Sequence, residues 1–295
     1  MARSGTSYFG ELLNSHRQIL CGHERFSPGK LKADYFTPQG FLECEPSRVD
    51  RRRMEALLAS KGELVAIGDK FPRGYMQTGN LVAQIPGAQF FAIIRDVRQV
   101  GASWNARAKN PTDSWPAGMV SLFADIEFLF LIFALFTLPP EIDVRLVNYR
   151  YLVSPESMDD CATNLCGLLG LEPDESMREF VRASRSYRRP PSGKPAAIDE
   201  EFYSLPFVRQ FLTNVEGWKI ESRTEKLRDI RTFIAGFRNS ESAVTEIFAE
   251  AMKASFASNP ATREYVLRIR ALYRQAAKSM RLLRFTRELL QAAQS

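Results

Sequence analysis

Along the first 170 positions, short runs of branched and aromatic residues alternate with longer stretches in which apolar side chains recur at helical spacing. Ser7 to Ser15 reads as the opening helix, Leu64 to Ile67 as a short buried strand, and Gln77 to Gln84 as a helix turned by Pro86 and Gly87. Gln89 to Ile94 (QFFAII) is a strand by its aromatic and branched run, and Val97 to Ala108 is a helix that Pro111 stops. Val144 to Val147 is a further strand, and Pro155 to Leu169 a helix closed by Gly170. Strands alternating with helices imply an α/β fold with a parallel sheet covered on both faces.

Beyond about residue 180 the texture changes. Ser184 to Pro195 (SRSYRRPPSGKP) is a loop rich in Pro, Ser and Arg, and Arg263 to Ala293 is a long helical stretch. No internal repeat is evident. The organisation expected is one domain over residues 1–295, with an α/β core to 180 and a loop and helical extension after it. That extension would cover an active site or supply a homodimer contact. The apolar run Phe128 to Leu138 follows Asp125 and Glu127 and ends at Pro139 and Pro140, too short to span a bilayer, so a core helix is expected and no transmembrane segment.

Composition then narrows the class. With 45% hydrophobic and 25% charged residues, the chain is neither disordered nor a disulfide-stapled miniprotein. Cys21, Cys44, Cys161 and Cys166 form no CxxC pair, and His16 and His23 do not stand at zinc spacing from them, so no metal site and a reduced, cytoplasmic setting are expected. No secretory leader is visible. A net charge of +6 points to an anionic ligand and is too small to call for nucleic acid.

Two places carry candidate chemistry. Arg3, Ser4, Gly5, Thr6 and Ser7 precede a helix, and a glycine-bearing loop there aims backbone N–H groups at an anion, with the helix dipole adding to the attraction. Helix N-capping is the structural alternative. The loop lacks the GxxxxGK[ST] pattern and hence its lysine. Arg95 ends the QFFAII strand and Ser103 stands eight residues later. The carboxyl ends of strands are where ligands gather in open α/β sheets.

Together with RSGTS (Arg3 to Ser7), the segments SHRQILCGHERF (Ser15 to Phe26), GDKFP (Gly68 to Pro72), IIRDVRQVGASWNARA (Ile93 to Ala108), NYRYLVSPE (Asn148 to Glu156) and LLGL (Leu168 to Leu171) resemble the sulfotransferases that use 3′-phosphoadenosine 5′-phosphosulfate, PAPS. The resemblance covers roughly residues 1–175 and is closest to the bacterial branch related to tyrosylprotein and heparan sulfotransferases. It implies a three-layer parallel sheet with a P-loop-like nucleotide-binding core and a helical C-terminal region.

Carried over by position, the resemblance implies that Arg3, Ser4, Gly5, Thr6 and Ser7 hold the 5′-phosphosulfate and that Arg95 and Ser103 hold the 3′-phosphate. Tyr149 would lie near the donor, although Arg150 replaces the usual acid there. Ser184, Arg188 and Lys194 would close over the 3′-phosphate. Glu24 is the general base, with His23 its rival, and Lys70 the electrophile at the bridging oxygen. His16 takes a structural position at the helix end, and Trp104, Arg107 and Trp115 pack their helix. The donor is PAPS and the product 3′,5′-ADP, with no metal. The acceptor is a small-molecule, carbohydrate or lipid hydroxyl, or an amine. Relatives place a central strand before the RSGT loop, where this chain has Met1 and Ala2. Either the native product begins upstream of Met1, which is the expectation, or the sheet lacks a central strand and binding suffers. The rival readings are a P-loop nucleotide or small-molecule kinase and a non-catalytic nucleotide-binding relative.

Overall fold

The computed structural model describes residues 4–26, 30–45, 50–113, 115–185, 197–280 and 282–292. The helices are α1 (Thr6–Ser15), α2 (Arg51–Ala59), α3 (Thr78–Gln84), α4 (Val97–Ala108), α5 (Ser121–Thr137), α6 (Tyr149–Val153), α7 (Met158–Leu168), α8 (Glu175–Arg185), α9 (Ala197–Ser204), α10 (Pro206–Glu216), α11 (Leu227–Asn239), α12 (Glu241–Ser258), α13 (Pro260–Met280) and α14 (Leu283–Ala292). The strands are β1 (Ile19–His23), β2 (Ala66–Lys70), β3 (Phe90–Ile94), β4 (Val144–Asn148) and β5 (Ile220–Ser222).

The architecture is mixed α/β, but its strands do not form the single parallel sheet that the alternation implies. Among the described residues β1 and β2 pair in parallel as one sheet, and β3, β4 and β5 form another in which β5 runs antiparallel to β4. Strand β2 also lies later than its apolar run indicates. Pairing with β1 in the register Ile19↔Ala66 to His23↔Lys70 carries the ladder through the polar residues Gly68, Asp69 and Lys70, because backbone hydrogen bonds and not side-chain polarity extend a strand. β1 was not expected as a strand; only Ile19, Leu20 and Cys21 are apolar in it, yet its first four residues are buried.

Side chains alternate across the β3–β4 sheet into two cores. Ile93 and Val147 pack with α1, α6, α7 and α8, whereas Ile94, Val144 and Leu146 pack with α4, α5 and the helices beyond residue 197. Helix α5 is the centre of the second core. Every residue from Ser121 to Leu135 is buried, including Asp125 and Glu127, as expected for an apolar run too short to be a span. No helix among the described residues is long and apolar enough to cross a membrane.

Such a helix needs polar closure at its carboxyl end. Arg223, which follows β5 and is 1% exposed, donates from Nη1 to the carbonyls of Leu135 and Leu138, both 3.0 Å, and from Nη2 to those of Pro139 (2.6 Å) and Ile142 (3.3 Å). A cation at this end also meets the negative pole of the helix. Arg223→Met keeps the apolar stem and removes these donors. The expected loss is about 2–4 kcal/mol, read as a Tm drop of roughly 5–10 °C in a thermal melt. An unchanged Tm would show that water satisfies these carbonyls as well.

Candidate functional site

Parallel pairing brings the carboxyl ends of β1 and β2 side by side, with His23 opposite Lys70. The chain leaves β1 through Glu24 at φ 57°, a left-handed conformation that costs a side chain-bearing residue about 1–2 kcal/mol. Asp69 enforces it. Its Oδ1 accepts from the Glu24 backbone N–H at 2.8 Å, and Oδ2 accepts from Arg25 Nε at 2.9 Å. Arg25 is fully buried. Its Nη1 donates to the Phe41 carbonyl at 2.7 Å, its Nη2 to that of Tyr35 at 3.0 Å, and its guanidinium lies 4.3 Å from the Phe41 ring centre. Gly22 is required beside this pair, because a Cβ there would meet Arg25 Nε and Asp69 Oδ2.

The turn presents two side chains together. Lys70 Nζ lies 2.7 Å from Glu24 Oε1, with the lysine side chain 10% and the glutamate 43% exposed. The residues singled out as base and electrophile, 46 positions apart in sequence, thus form one ion pair. The structural alternative, a surface lysine paired with Asp69, does not hold: Asp69 is taken by Arg25 and Lys70 is mostly buried. His23 is half-buried, with its ring toward Gly10 of α1. Burial first and the Lys70 ammonium second push its pKa below the ordinary 6.5. Burial pushes the Cys21 thiol up to about 12, so it is no thiolate nucleophile at neutral pH.

At the start of α1, Ser4 is buried and Gly5 has φ 105°. A Cβ on Gly5 would collide with the Tyr149 ring. The first helical hydrogen bond runs from Phe9 N–H to Gly5 O, and the N-cap position is Gly5, which has no side chain to cap with. The N–H groups of Thr6, Ser7 and Tyr8 therefore precede the ladder, as an anion-binding helix start requires. Tyr149, 7% exposed, follows β4 directly, and Arg95, which follows β3, lays its guanidinium 4.1 Å from the centre of the Tyr149 ring. Gly5, Tyr149 and Arg95 thus form a stack at the carboxyl ends of β3 and β4, with Tyr149 as the brace. Ser103 is half-buried two turns along α4. Arg3, Arg188 and Lys194 lie outside the described residues, and Ser184 stands in the last turn of α8. His16 takes its structural place: Nδ1 accepts from Gln18 N–H and Nε2 faces the Glu172 carbonyl at 3.0 Å. Trp104 and Trp115 pack edge to face, with Arg107 over Trp115.

Arg73, Tyr75 and Tyr265 carry no local sequence signal of their place in this neighbourhood. Arg73, three positions after Lys70, donates from Nε to Glu127 Oε1 at 2.8 Å and from Nη2 to Tyr265 Oη at 2.6 Å. Tyr75 donates to Glu127 Oε2 at 3.0 Å, and burial together with Glu127 keeps the Tyr75 hydroxyl protonated. This network ties the segment after Lys70 to α5 and α13. Only the two acids flanking an apolar run hinted at it. Among the described residues no group of His, Cys, Asp or Glu is arranged to hold a metal ion.

Comparison with models of known families, with curated proteins and with solved structures finds no match in any of the three.

The left-handed turn gives a direct test. Glu24→Ala and Glu24→Gly both delete the carboxylate, but only glycine relieves the backbone, so the glycine variant should be the more stable by about 1 kcal/mol in chemical denaturation. Equal stabilities, or alanine the better, would refute the positive φ.

Proposed function

We propose that this chain is a sulfotransferase that moves a sulfuryl group from PAPS to a hydroxyl or amine of a small-molecule, carbohydrate or lipid acceptor. The observation that carries the reading is the Lys70–Glu24 pair at the carboxyl ends of β1 and β2, with Lys70 and Thr6 of the α1 start lining one cavity. On this reading the Gly5 loop and the first turn of α1 form a P-loop-like cradle for the 5′-phosphosulfate, within the three-layer core that the resemblance implies. The Arg95 guanidinium, held flat by Tyr149, takes the 3′-phosphate with Ser103.

The chemistry assigned to the pair is complementary. Glu24 accepts the acceptor's proton as the acceptor oxygen or nitrogen bonds to sulfur. The bond from sulfur to the bridging phosphate oxygen breaks, and Lys70 neutralises the charge that appears on that oxygen, leaving 3′,5′-ADP. Without donor the two side chains neutralise each other at 2.7 Å. Donor binding draws the ammonium to the phosphosulfate and frees the carboxylate, so the base becomes competent only once the donor is in place. The break between the two sheets beneath the Gly5 loop favours a second reading, a nucleotide-binding relative without turnover. Donor binding with no sulfuryl transfer would identify it.

A thermal-shift comparison of 3′,5′-ADP with ATP tests the donor class: stabilisation by 3′,5′-ADP alone is expected, and by ATP alone would favour a kinase. Arg95→Ala should weaken 3′,5′-ADP roughly 10- to 100-fold in titration calorimetry and 5′-AMP far less. Equal losses would remove Arg95 from the 3′-phosphate.

Glu24→Gln should cut turnover about 10²–10⁴-fold with donor affinity nearly constant, in an assay of sulfuryl transfer from labelled PAPS to a metabolite extract. If His23→Gln gives the large loss instead, the histidine is the base. Lys70→Ala should slow transfer without unfolding the protein.

A further inference from the structure

Helix α13 turns one face inward and the other outward. Tyr265, Ile269 and Tyr273 are buried in the core shared with α5 and α12, whereas Arg263, Leu267, Arg270, Arg274 and Lys278 are exposed. At about 100° per residue these five positions fall within an arc of about 80°, so they form one row along about 22 Å of helix. Four of them are cations and none is an acid. Among the described residues none of the four has a partner of opposite charge, whereas Arg268, off the row, takes Glu264, the one acid of the helix, at 3.2 Å.

Such a row is unfavourable for the helix that carries it. Arg270, Arg274 and Lys278 are like charges one turn apart, and Arg263 stands in the first turn, at the positive pole of the helix. A solvated helix face ordinarily mixes the two signs, and here the single acid is engaged elsewhere. Removing these four charges from the net +6 leaves +2, so most of the excess charge of the chain is gathered on this face. What balances it comes from outside the chain.

The shape of the row selects the partner. Spread along an outward-facing helix, the four cations cannot converge on one small anion, so an extended anionic surface is required. Leu267, in the middle of the row and 46% exposed, is one of two large apolar side chains so exposed among the described residues. The headgroup layer of a bilayer accepts an aliphatic side chain between cations whose heads contact its phosphates. A nucleic acid strand calls instead for aromatic side chains on which bases stack, and both tyrosines of α13 are buried on its other face.

We propose that the outward face of α13 docks on the surface of an anionic lipid bilayer. Arg263, Arg270, Arg274 and Lys278 meet the headgroups, and Leu267 enters the layer between them. The helix axis lies in the membrane plane, and its packing on α5 and α12 holds it there without rearrangement. Contact of this kind is electrostatic and therefore sensitive to salt. It rests on this face alone and is independent of the sulfuryl-transfer reading.

The test is co-sedimentation of the full chain with phosphatidylcholine vesicles carrying about 30 mol% phosphatidylserine, an anionic lipid. Binding is expected in about 0.1 M salt and not in about 0.5 M, and not to phosphatidylcholine alone. Each cation near the surface contributes about fivefold in partitioning, so Arg270→Gln with Arg274→Gln should weaken it roughly 25-fold. Leu267→Gln should weaken it by a few-fold. Glutamine is a good helix former and the change relieves a like-charge contact, so Tm should hold or rise. Arg263→Gln with Lys278→Gln, at the ends of the row, is a second pair that should lose as much. Arg228→Gln with Arg231→Gln, equally exposed on α11, is the control and should lose far less. Equal losses on α11 and α13 would show that only net charge acts, and overturn the assignment. So would failure to bind in about 0.1 M salt, or equal binding to phosphatidylcholine alone. A dimer that the α13 pair dissociates would give the face to a second copy, and capture of a single-stranded oligonucleotide without vesicle binding would give it to nucleic acid. Either result rejects the proposal.

Discussion

The buried pair between Asp69 and Arg25 holds the rest of the site in place. Both side chains are fully withdrawn from water. Neither charge is tolerable alone at that depth, since breaking such a pair leaves an uncompensated ion at a cost of about 3–5 kcal/mol. The carboxylate collects N–H groups from Glu24 and Arg25, and the guanidinium gathers the carbonyls of Tyr35 and Phe41, which lie far along the following loop. The pair therefore specifies where the chain turns after β1 and how the segment around Phe41 folds back. Glu24 is held in its unfavourable backbone region by the same hydrogen bonds, which places its carboxylate at Lys70.

How far the sequence discloses this arrangement depends on where the information lies. Helix α1, strand β3, helix α4 and strand β4 rest on local apolar periodicity and are read within a residue or two. β5 has no such signature; it exists because Lys219 to Ser222 lie beside β4, a relation between positions about 75 apart. The end of β2 is polar and exists as strand only through pairing with β1. The site shows the same division. The resemblance points to Glu24 and Lys70 singly, but their direct contact is a product of register. Arg25, between two residues of interest, gives no sign in sequence of being the most deeply buried cation near the site. The resemblance places Tyr149 near the donor; its ring is the surface on which Arg95 lies and the reason residue 5 carries no side chain.

The fold also separates duties within one chain. The side of the β3–β4 sheet facing α1, α7 and α8 carries the α1 start and Tyr149, whereas the side facing α4, α5 and the later helices is an apolar core, with Ser103 on α4. The Arg73–Glu127–Tyr265 network belongs to the second side, where it joins the segment after Lys70 to α5 and α13. A buried carboxylate fixed by a guanidinium and tyrosine hydroxyls is directional where apolar packing is not, so it sets the angle at which α13 meets the segment after Lys70.

Helix α5 has a consequence for how the protein is made. Its partners come from both ends of the chain: Arg73 and Tyr75 precede it, while Tyr265 and Tyr273 follow by well over a hundred residues. On the ribosome, where synthesis runs at about 5–20 residues per second, a helix this apolar, and buried on every side in the finished fold, must wait on the order of ten seconds for the segments that cover it. During that interval it is the most adhesive part of the nascent chain. A product ending anywhere before α13 would carry the α/β half with α5 incompletely covered, which is the kind of surface that chaperones hold and proteases clear.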